Sequence, residues 1–420
     1  MQVRLDYGTR GLIVDVPPDA TIVEPRDIPA LPDARAAIAA ALREPLAGRP
    51  LSGLVRASDR VAISVCDGTR PQPRHDMLAP LLSAIAHVPA DRISIVIATG
   101  THRPNTDAEV REMLGDDIVT RYPIVNHDAR DMTTLARAGV TASGVPVMLN
   151  RVFLEADVRI TTGVVEPHFF AGFSGGPKMV APGLAGLDTV LELHNAARIG
   201  DPRATWGITE GNPVHDDVRD IARLVGVHFA LDVTLNRHKA IAGVFAGELF
   251  AAHAAACAQA RADSMSVVSG PFDVVLTSNS GYPLDQNLYQ AVKGLSAAAR
   301  IVKAGGTILC AAECRDGVPA HGSFAEVLAL DGSPAGLLRA ITAPGFLVPD
   351  QWQVQILATI LSSARVMMKA DGVPASALAA AQVEPIEDVS VAVRRALDEA
   401  GPWARLCVLP HGPRTVAVLG

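Results

Sequence analysis

Several protein classes are excluded by what the 420-residue chain lacks. No apolar run approaches the ~20 residues that a bilayer-crossing helix needs, so the positive mean hydropathy of +0.25 reflects cores rich in alanine and valine. The opening MQVRLDYGTRGLIVDV alternates and carries charge from its fourth residue, unlike the basic-then-apolar layout of a signal peptide. A cytoplasmic location with no membrane partner is the expectation. Cysteine is sparse: Cys66, Cys257, Cys310, Cys314 and Cys407 are odd in number and include no C-x-x-C pair. That argues against a disulfide framework or a structural zinc site and for buried, reduced thiols. An excess of positive charge is also missing. With 37 Lys+Arg against 44 Asp+Glu the net charge is −7, so the attraction to phosphate backbones that nucleic-acid binders use is absent and no nucleic-acid partner is expected.

What is present describes a folded, loop-punctuated chain: 49% hydrophobic and 19% charged residues, with 35 Gly and 30 Pro. At about 150 residues per domain the length predicts two to three domains. A strand–loop–helix unit recurs, each time with polar residues in the loop. Residues 60–65 (RVAISV) read as a buried strand, CDGTRPQPR as a loop and HDMLAPLLSAIAHV as a helix. A strand at 92–98 leads through TGTHRPN to a helix whose Thr106 and Glu109 have capping-box spacing. A third strand near 157–162 precedes GVVEPHFFAGFSGGPKMVAPG, and a fourth at 272–278 precedes NSGYPLDQN and the helix LYQAVKGLSAAARIV. Residues 247–263 read as an amphipathic helix, and SMSVVSGP after it as an inter-domain boundary. The expected fold is therefore two α/β domains with mainly parallel sheets, 1–268 and 269–420, with the active site in the cleft between them.

The loops at strand ends carry the candidate chemistry. In FSGGPK, glycines allow backbone N–H groups to approach an anion and Pro177 suits a first helical turn, although Pro177-Lys178-Met179 replaces the Gly-Lys-Ser/Thr of a Walker A loop. A Gly-rich turn with a solvated lysine is the alternative. His194 falls on the stripe Leu187, Val190, Leu191, His194, Ala197, where a hydrogen-bonded core histidine competes with a ligand. His102 lies in a loop that substrate can reach. Asp67 and Arg70 could simply form a local ion pair, and Gln290 and Lys293, one turn apart, could lie on a solvated helix face. Together, three histidines, two lysines and an arginine at strand ends of an acidic chain suggest a small anionic ligand.

The string EPHFFAGFSGGPKMVAPG, with DGTRP and TGTHR upstream and ELHN, LYQAVKG and DQWQVQ downstream, resembles the nickel-pincer lactate racemase family over residues 60–355. The resemblance implies a nickel-pincer nucleotide, a pyridinium-3-thioamide-5-thiocarboxylate mononucleotide, supplied by cofactor-biosynthesis proteins. It matches His194 to the nickel ligand and Lys178 to the residue that joins the pincer through a thioamide. Ser174, Gly175 and Gly176 would bind the nucleotide phosphate. His102 and His168 match two acid–base histidines; Arg70, Gln290 and Lys293 match polar residues lining the substrate space; Asp67 and Trp352 match further cofactor-pocket positions.

That assignment implies a racemase or epimerase of a small anionic 2-hydroxy acid, lactate or a relative, working by hydride transfer through a 2-oxo acid. The Cα proton of such a substrate is too weakly acidic for a histidine to remove easily, whereas loss of hydride coupled to loss of the hydroxyl proton is accessible. Two histidines, one for each hand of the substrate, would serve as the bases. A zinc hydrolase is the alternative from another class, but the histidines lack H-x-H or H-x-x-x-H spacing. A non-catalytic nucleotide- or anion-binding protein would need neither acid–base histidine.

Overall fold

The computed structural model describes residues 1–319 and 322–420, and the chain divides into two compact α/β units. The first comprises Asp27–His194 and Arg203–Asp263; the second comprises Met1–Arg26, Asn195–Pro202 and Ser264–Gly420. Among the described residues no helix is long and apolar enough to cross a membrane.

The first unit is built on a six-stranded sheet in the order Ile241–Gly247, Phe229–Leu235, Val158–Val164, Val61–Cys66, Ile93–Ala98, Ile124–Asn126. All neighbours are parallel except the antiparallel edge strand Ile241–Gly247. Val61–Cys66 is buried at every position, as a parallel strand covered on both faces must be, which is why it reads as an apolar run interrupted only by the small Ser64. The helices Ala34–Arg43 and Arg74–Ala84 supply Ile38, Leu42, Met77, Leu78 and Leu81 to the core over this sheet. Thr106 and Glu109 form the expected capping box on Asp107–Leu114.

The second unit has a six-stranded, wholly parallel sheet in the order Glu384–Pro385, Arg365–Lys369, Val302–Ala311, Phe272–Ser278, Leu406–Leu409, Thr21–Ile22. The two α/β units with mainly parallel sheets thus match the fold expected from the recurring strand–loop–helix pattern.

The division of the chain differs from a single cut at 268. Residues 1–26 belong with the C-terminal unit, because Thr21–Ile22 pairs with Leu406–Leu409 and the hairpin Gln2–Leu5/Leu12–Asp15 buries Leu5 and Val14 against Val274, Leu276 and Val408. Met265–Val268, read as a boundary, is a strand paired in parallel with Val416–Leu419. Asn195–Pro202 joins the same unit, where the Gln355 side-chain amide donates to the Ala196 carbonyl at 2.8 Å. Each of these partners lies far away in sequence, so no local pattern announces it.

Leu5 is fully buried. Leu5→Ala should therefore destabilise the second unit by roughly 2–5 kcal/mol, read as an earlier urea transition. An unchanged transition would mean that the hairpin only decorates that unit.

Candidate functional site

Three neighbouring parallel strands of the first unit, Val158–Val164, Val61–Cys66 and Ile93–Ala98, end on the same edge of the sheet, the edge where open α/β sheets bind ligands. The loop after Ile93–Ala98 carries His102, the loop after Val61–Cys66 carries Asp67 and Arg70, and the loop after Val158–Val164 carries Glu166 and His168.

The Asp67 loop is shaped by Arg74 at the start of the following helix. Its guanidinium donates to the carbonyls of Cys66 at 2.7 Å and Arg70 at 3.0 Å, and to that of Asp67. Gln72 fixes the other side, accepting from the Cys66 N–H at 2.7 Å and donating to Thr162 Oγ1 at 2.9 Å. The carboxylate so placed is 5% exposed. Its Oδ1 accepts from the Thr69 hydroxyl at 2.7 Å, and its Oδ2 lies 2.8 Å from His102 Nδ1. Burial alone would raise the Asp67 carboxyl, but His102, Thr69 and Arg70 outweigh it and hold the group below its usual range. Hence Nδ1 of His102 carries the proton and Nε2 carries the lone pair, the tautomer of a base.

His168 has the opposite polarity. Its Nδ1 faces the backbone N–H groups of Ala171 at 3.3 Å and Phe170 at 3.5 Å, which puts the proton of the neutral ring on Nε2. Arg70 is paired with Glu166, the two side chains being 26% and 34% exposed. The local Asp67–Arg70 ion pair considered from sequence is therefore replaced by two longer-range pairs, Asp67 with His102 and Arg70 with Glu166.

Phe170 joins the other candidates. Its ring packs edge-on to His168 at 4.5 Å and to His194 at 5.1 Å between centroids, and the Lys178 ammonium lies 5.4 Å from its centre. His194 does not continue a helical stripe: the helix Leu187–Leu193 ends before it, its backbone turns at φ −111° and ψ 22°, and Ala197 belongs to a separate short helix, Ala196–Ile199. The imidazole is buried, and its Nδ1–H donates to the Val190 carbonyl at 2.7 Å, leaving Nε2 as the lone-pair nitrogen. Burial, then the charge of Lys178, pushes His194 down to about 3. A neutral imidazole fixed through Nδ1–H to a carbonyl is the arrangement found in metal-ligating histidines.

In the glycine-rich stretch two backbone N–H groups are taken up by the protein itself. The Ser174 N–H donates to the Glu166 carbonyl at 2.9 Å, the Ser174 hydroxyl donates to the Val164 carbonyl at 2.8 Å, and the Gly176 N–H donates to Asp232 Oδ1 at 3.2 Å. Gly176 sits at φ +48°, and a Cβ there would come within 2.4 Å of the His253 ring. Glycine is needed here for close packing, and the helix that follows, Gly176–Met179, is a single 3-10 turn.

In the second unit, Gln290 and Lys293 lie on Leu288–Ala299, capped by Asn287, and Lys293 Nζ donates to Gln290 Oε1 at 2.5 Å. Gln290 is buried, so this is not a solvated helix face. The Trp352 indole donates to the Tyr289 hydroxyl at 3.0 Å, and the Gln353 amide donates to the Tyr289 carbonyl at 2.5 Å. Glu166, Gln72, Arg74, Tyr289, Asp232 and His253 were not singled out from sequence. An aspartate inside the apolar strand FALDVTL and a histidine inside the alanine-rich helix Leu249–Ser264 were the available signals.

Among the described residues no three His, Cys, Asp or Glu side chains converge as a site made of protein ligands alone would require. The chain matches the family models for the lactate racemase N-terminal domain over residues 7–207 and the lactate racemase C-terminal domain over 267–418. A lactate racemase from Lactiplantibacillus plantarum is 37% identical over 373 residues, 88% of each chain. One from Thermoanaerobacterium thermosaccharolyticum is 35% identical over 375 residues, 89% of this chain and 88% of that one. The solved lactate racemase apoprotein from T. thermosaccharolyticum superposes with a TM-score of 0.92 at 32% identity, covering 99% of this chain and all (100%) of that one. A Thermotoga maritima structure, at 17% identity with a TM-score of 0.72 over 95% of this chain and 100% of its own, shares the fold.

Under the glycine-rich stretch the rings of His215 and His253 stack 5.7 Å apart, and burial pushes them down to about 3 and about 4. Both stay neutral in the fold where the unfolded chain would take up protons near pH 6.5. Their contribution to stability is complete above that pH and is lost as pH falls toward 4, at up to about 1.4 kcal/mol per pH unit for each ring. His253→Gln should give a shallower fall in urea stability between pH 6 and 4 than the unsubstituted chain. Equal slopes would show that the ring titrates freely in the fold.

Proposed function

The chain belongs to the lactate racemase family of isomerases, and from that premise we propose that it interconverts the enantiomers of a short 2-hydroxy acid, lactate foremost, through the 2-oxo acid. The observation that carries this reading is the contrast between two histidines on loops of the same sheet edge. His102 is backed by Asp67 and has its lone pair on Nε2, whereas His168 has its proton there.

Oxidation of a secondary alcohol requires a base for the hydroxyl proton. His102 meets that need, because the buried Asp67 carboxylate stabilises the imidazolium that forms and keeps the ring in one tautomer. His168 at rest offers a hydrogen bond to the substrate oxygen. To accept a proton at Nε2 it must move its ring proton to Nδ1 and give up the long contacts from Ala171 and Phe170. Arg70 is the guanidinium for the substrate carboxylate, which it would take by sharing or exchanging Glu166. Lys293 and Gln290 are proposed as further polar contacts for the substrate, and Trp352 as a cofactor-pocket side chain.

A nickel-pincer nucleotide is the cofactor this reading requires, and the residues around Phe170 suit it. His194 provides one neutral nitrogen ligand, the kind a nickel ion accepts, and a pincer group would supply the donors that the protein does not. Lys178 borders the same ring and is the amine for a thioamide tether. When bound, the group supplies an electrophilic carbon able to take up and return the Cα hydride. Ser174 and Gly176 are less suited to the phosphate than their composition implies, since their backbone N–H groups already donate to the Glu166 carbonyl and to Asp232.

Protein coexpressed with a pincer-biosynthesis pathway should erase the optical activity of at least one acid in a panel of enantiopure 2-hydroxy acids. Asp67→Asn, by letting the His102 ring proton shift, should slow both directions by roughly 100-fold or more. Loaded enzyme that leaves the whole panel optically intact refutes the racemase reading. A near-unchanged rate in Asp67→Asn refutes the role of the Asp67–His102 pair.

A further inference from the structure

The loop that runs from His168 to Lys178 rests on side chains belonging to three later elements of the first unit. Asn212, which caps the helix Pro213–Val225, donates through Nδ2 to the Phe170 carbonyl at 2.9 Å. His215, in the first turn of that helix, faces the Ala171 carbonyl. His253, on Leu249–Ser264, donates from Nε2 to the Ser174 carbonyl at 2.9 Å. Asp232, on Phe229–Leu235, accepts the Gly176 N–H at 3.2 Å. All four side chains are buried. Four buried polar groups under one short loop are costly to place unless each has a task, and here each engages a different backbone group of the same segment.

We infer that Asn212, His215, Asp232 and His253 are positioning residues for the racemase site, a buried hydrogen-bonding floor that sets His168 and Lys178 through the backbone between them. The inference rests on the family reading for what His168 and Lys178 do, but not for the existence of the floor. Asp232 is its keystone. Its Oδ1 holds Gly176, its Oδ2 finds no hydrogen-bond partner among the described residues, and the fit is too tight for anything larger than glycine nearby: a Cβ on Gly163 would lie 2.6 Å from Oδ1 and one on Gly175 3.2 Å. With burial and no paired cation, the carboxyl is pushed up to about 7. Its part in the floor is that of a hydrogen-bond acceptor at a fixed position, and an amide of the same shape keeps an accepting oxygen there. The two imidazoles are pushed toward neutrality by burial, with the nearby charges of Arg219 and Lys178 acting in the same direction.

The test compares Asp232→Ala with Asp232→Asn. In cofactor-free protein, amide hydrogen exchange at Gly176 should accelerate roughly tenfold or more in Asp232→Ala, the loss of one buried acceptor, and return toward the original rate in Asp232→Asn. In loaded enzyme the alanine variant should lose roughly tenfold in kcat with KM held within about twofold, because Arg70 lies on another loop, and the asparagine variant should recover most of it. Should Asp232→Ala not fold, His253→Leu against His253→Gln gives the same comparison, since the glutamine amide can still donate to the Ser174 carbonyl. Unchanged Gly176 exchange in the alanine or leucine variant overturns the proposal, as does an asparagine variant no better than alanine. If the unsubstituted enzyme racemises nothing, the family reading of this site fails while the exchange measurement still decides the floor. If it racemises and neither exchange nor kcat moves, only the floor is wrong.

Discussion

The clasp between Ser174 and Glu166 is the constraint on which the site depends. Ser174 donates its N–H to the Glu166 carbonyl, its hydroxyl accepts from the Glu166 N–H at 3.0 Å, and the same hydroxyl donates to the Val164 carbonyl at 2.8 Å. These bonds close the chain on itself just past the strand Val158–Val164 and force residues 167–173 into a tight hairpin in which Pro167 pairs with Phe173 and His168 with Gly172. Gly172 sits at φ +75°, and a Cβ there would lie 2.2 Å from the Ile208 carbonyl oxygen, so no other residue fits the turn. With the hairpin closed, His168, Phe169 and Phe170 become a buried aromatic cluster instead of a mobile loop tip. Opening the clasp would release together the Glu166 partner of Arg70, the His168 ring and the Phe170 ring that Lys178 and His194 share.

Charge is distributed accordingly. The paired groups, Asp67 with His102 and Arg70 with Glu166, lie on the loops at the strand ends. The groups behind them, His194, His215, His253 and Asp232, are forced toward neutrality by burial. A neutral His194 retains the lone pair that a metal ion needs.

The sequence is legible where the physics is local. Parallel strands buried on both faces must be mostly apolar, so Val61–Cys66 and Ile93–Ala98 are visible as runs, and the Thr106–Glu109 capping box is a contact three residues long. Reading Arg70 as the ion-pair partner of Asp67 fails because Glu166, 96 residues away, is the better-placed partner. The phosphate reading of Ser174-Gly175-Gly176 loses support for a related reason, since the N–H groups of Ser174 and Gly176 bond to the protein itself. Glycine admits a close backbone approach from any group, and the composition of the loop does not say whether that group is a phosphate or the protein's own Asp232 and His253. The racemase resemblance could name His102, His168, Lys178 and His194 because their order along the chain is a linear signal. The residues that hold them are scattered over Asn212, His215, Asp232 and His253, and only the folded sheet brings them beneath one loop.

The same geometry says what kind of ligand the site favours. Arg70 already has a carboxylate, that of Glu166, and the two side chains retain partial exposure. An incoming carboxylate therefore meets a guanidinium that is held in place but not fully engaged, and its planar fork can serve two carboxylates at once. On the proposed roles, a neutral alcohol would find no reason to displace or share Glu166, whereas a 2-hydroxycarboxylate would bring both the anion for Arg70 and, one carbon away, the hydroxyl for His102. Selection for the α-hydroxy acid unit would then follow from two loops on neighbouring strands, joined by the Asp67–His102 bond, with Glu166 of a third loop holding Arg70. What distinguishes one hydroxy acid from another must come from side chains that touch the remainder of the molecule, a separate task from holding Arg70 and His102 in place.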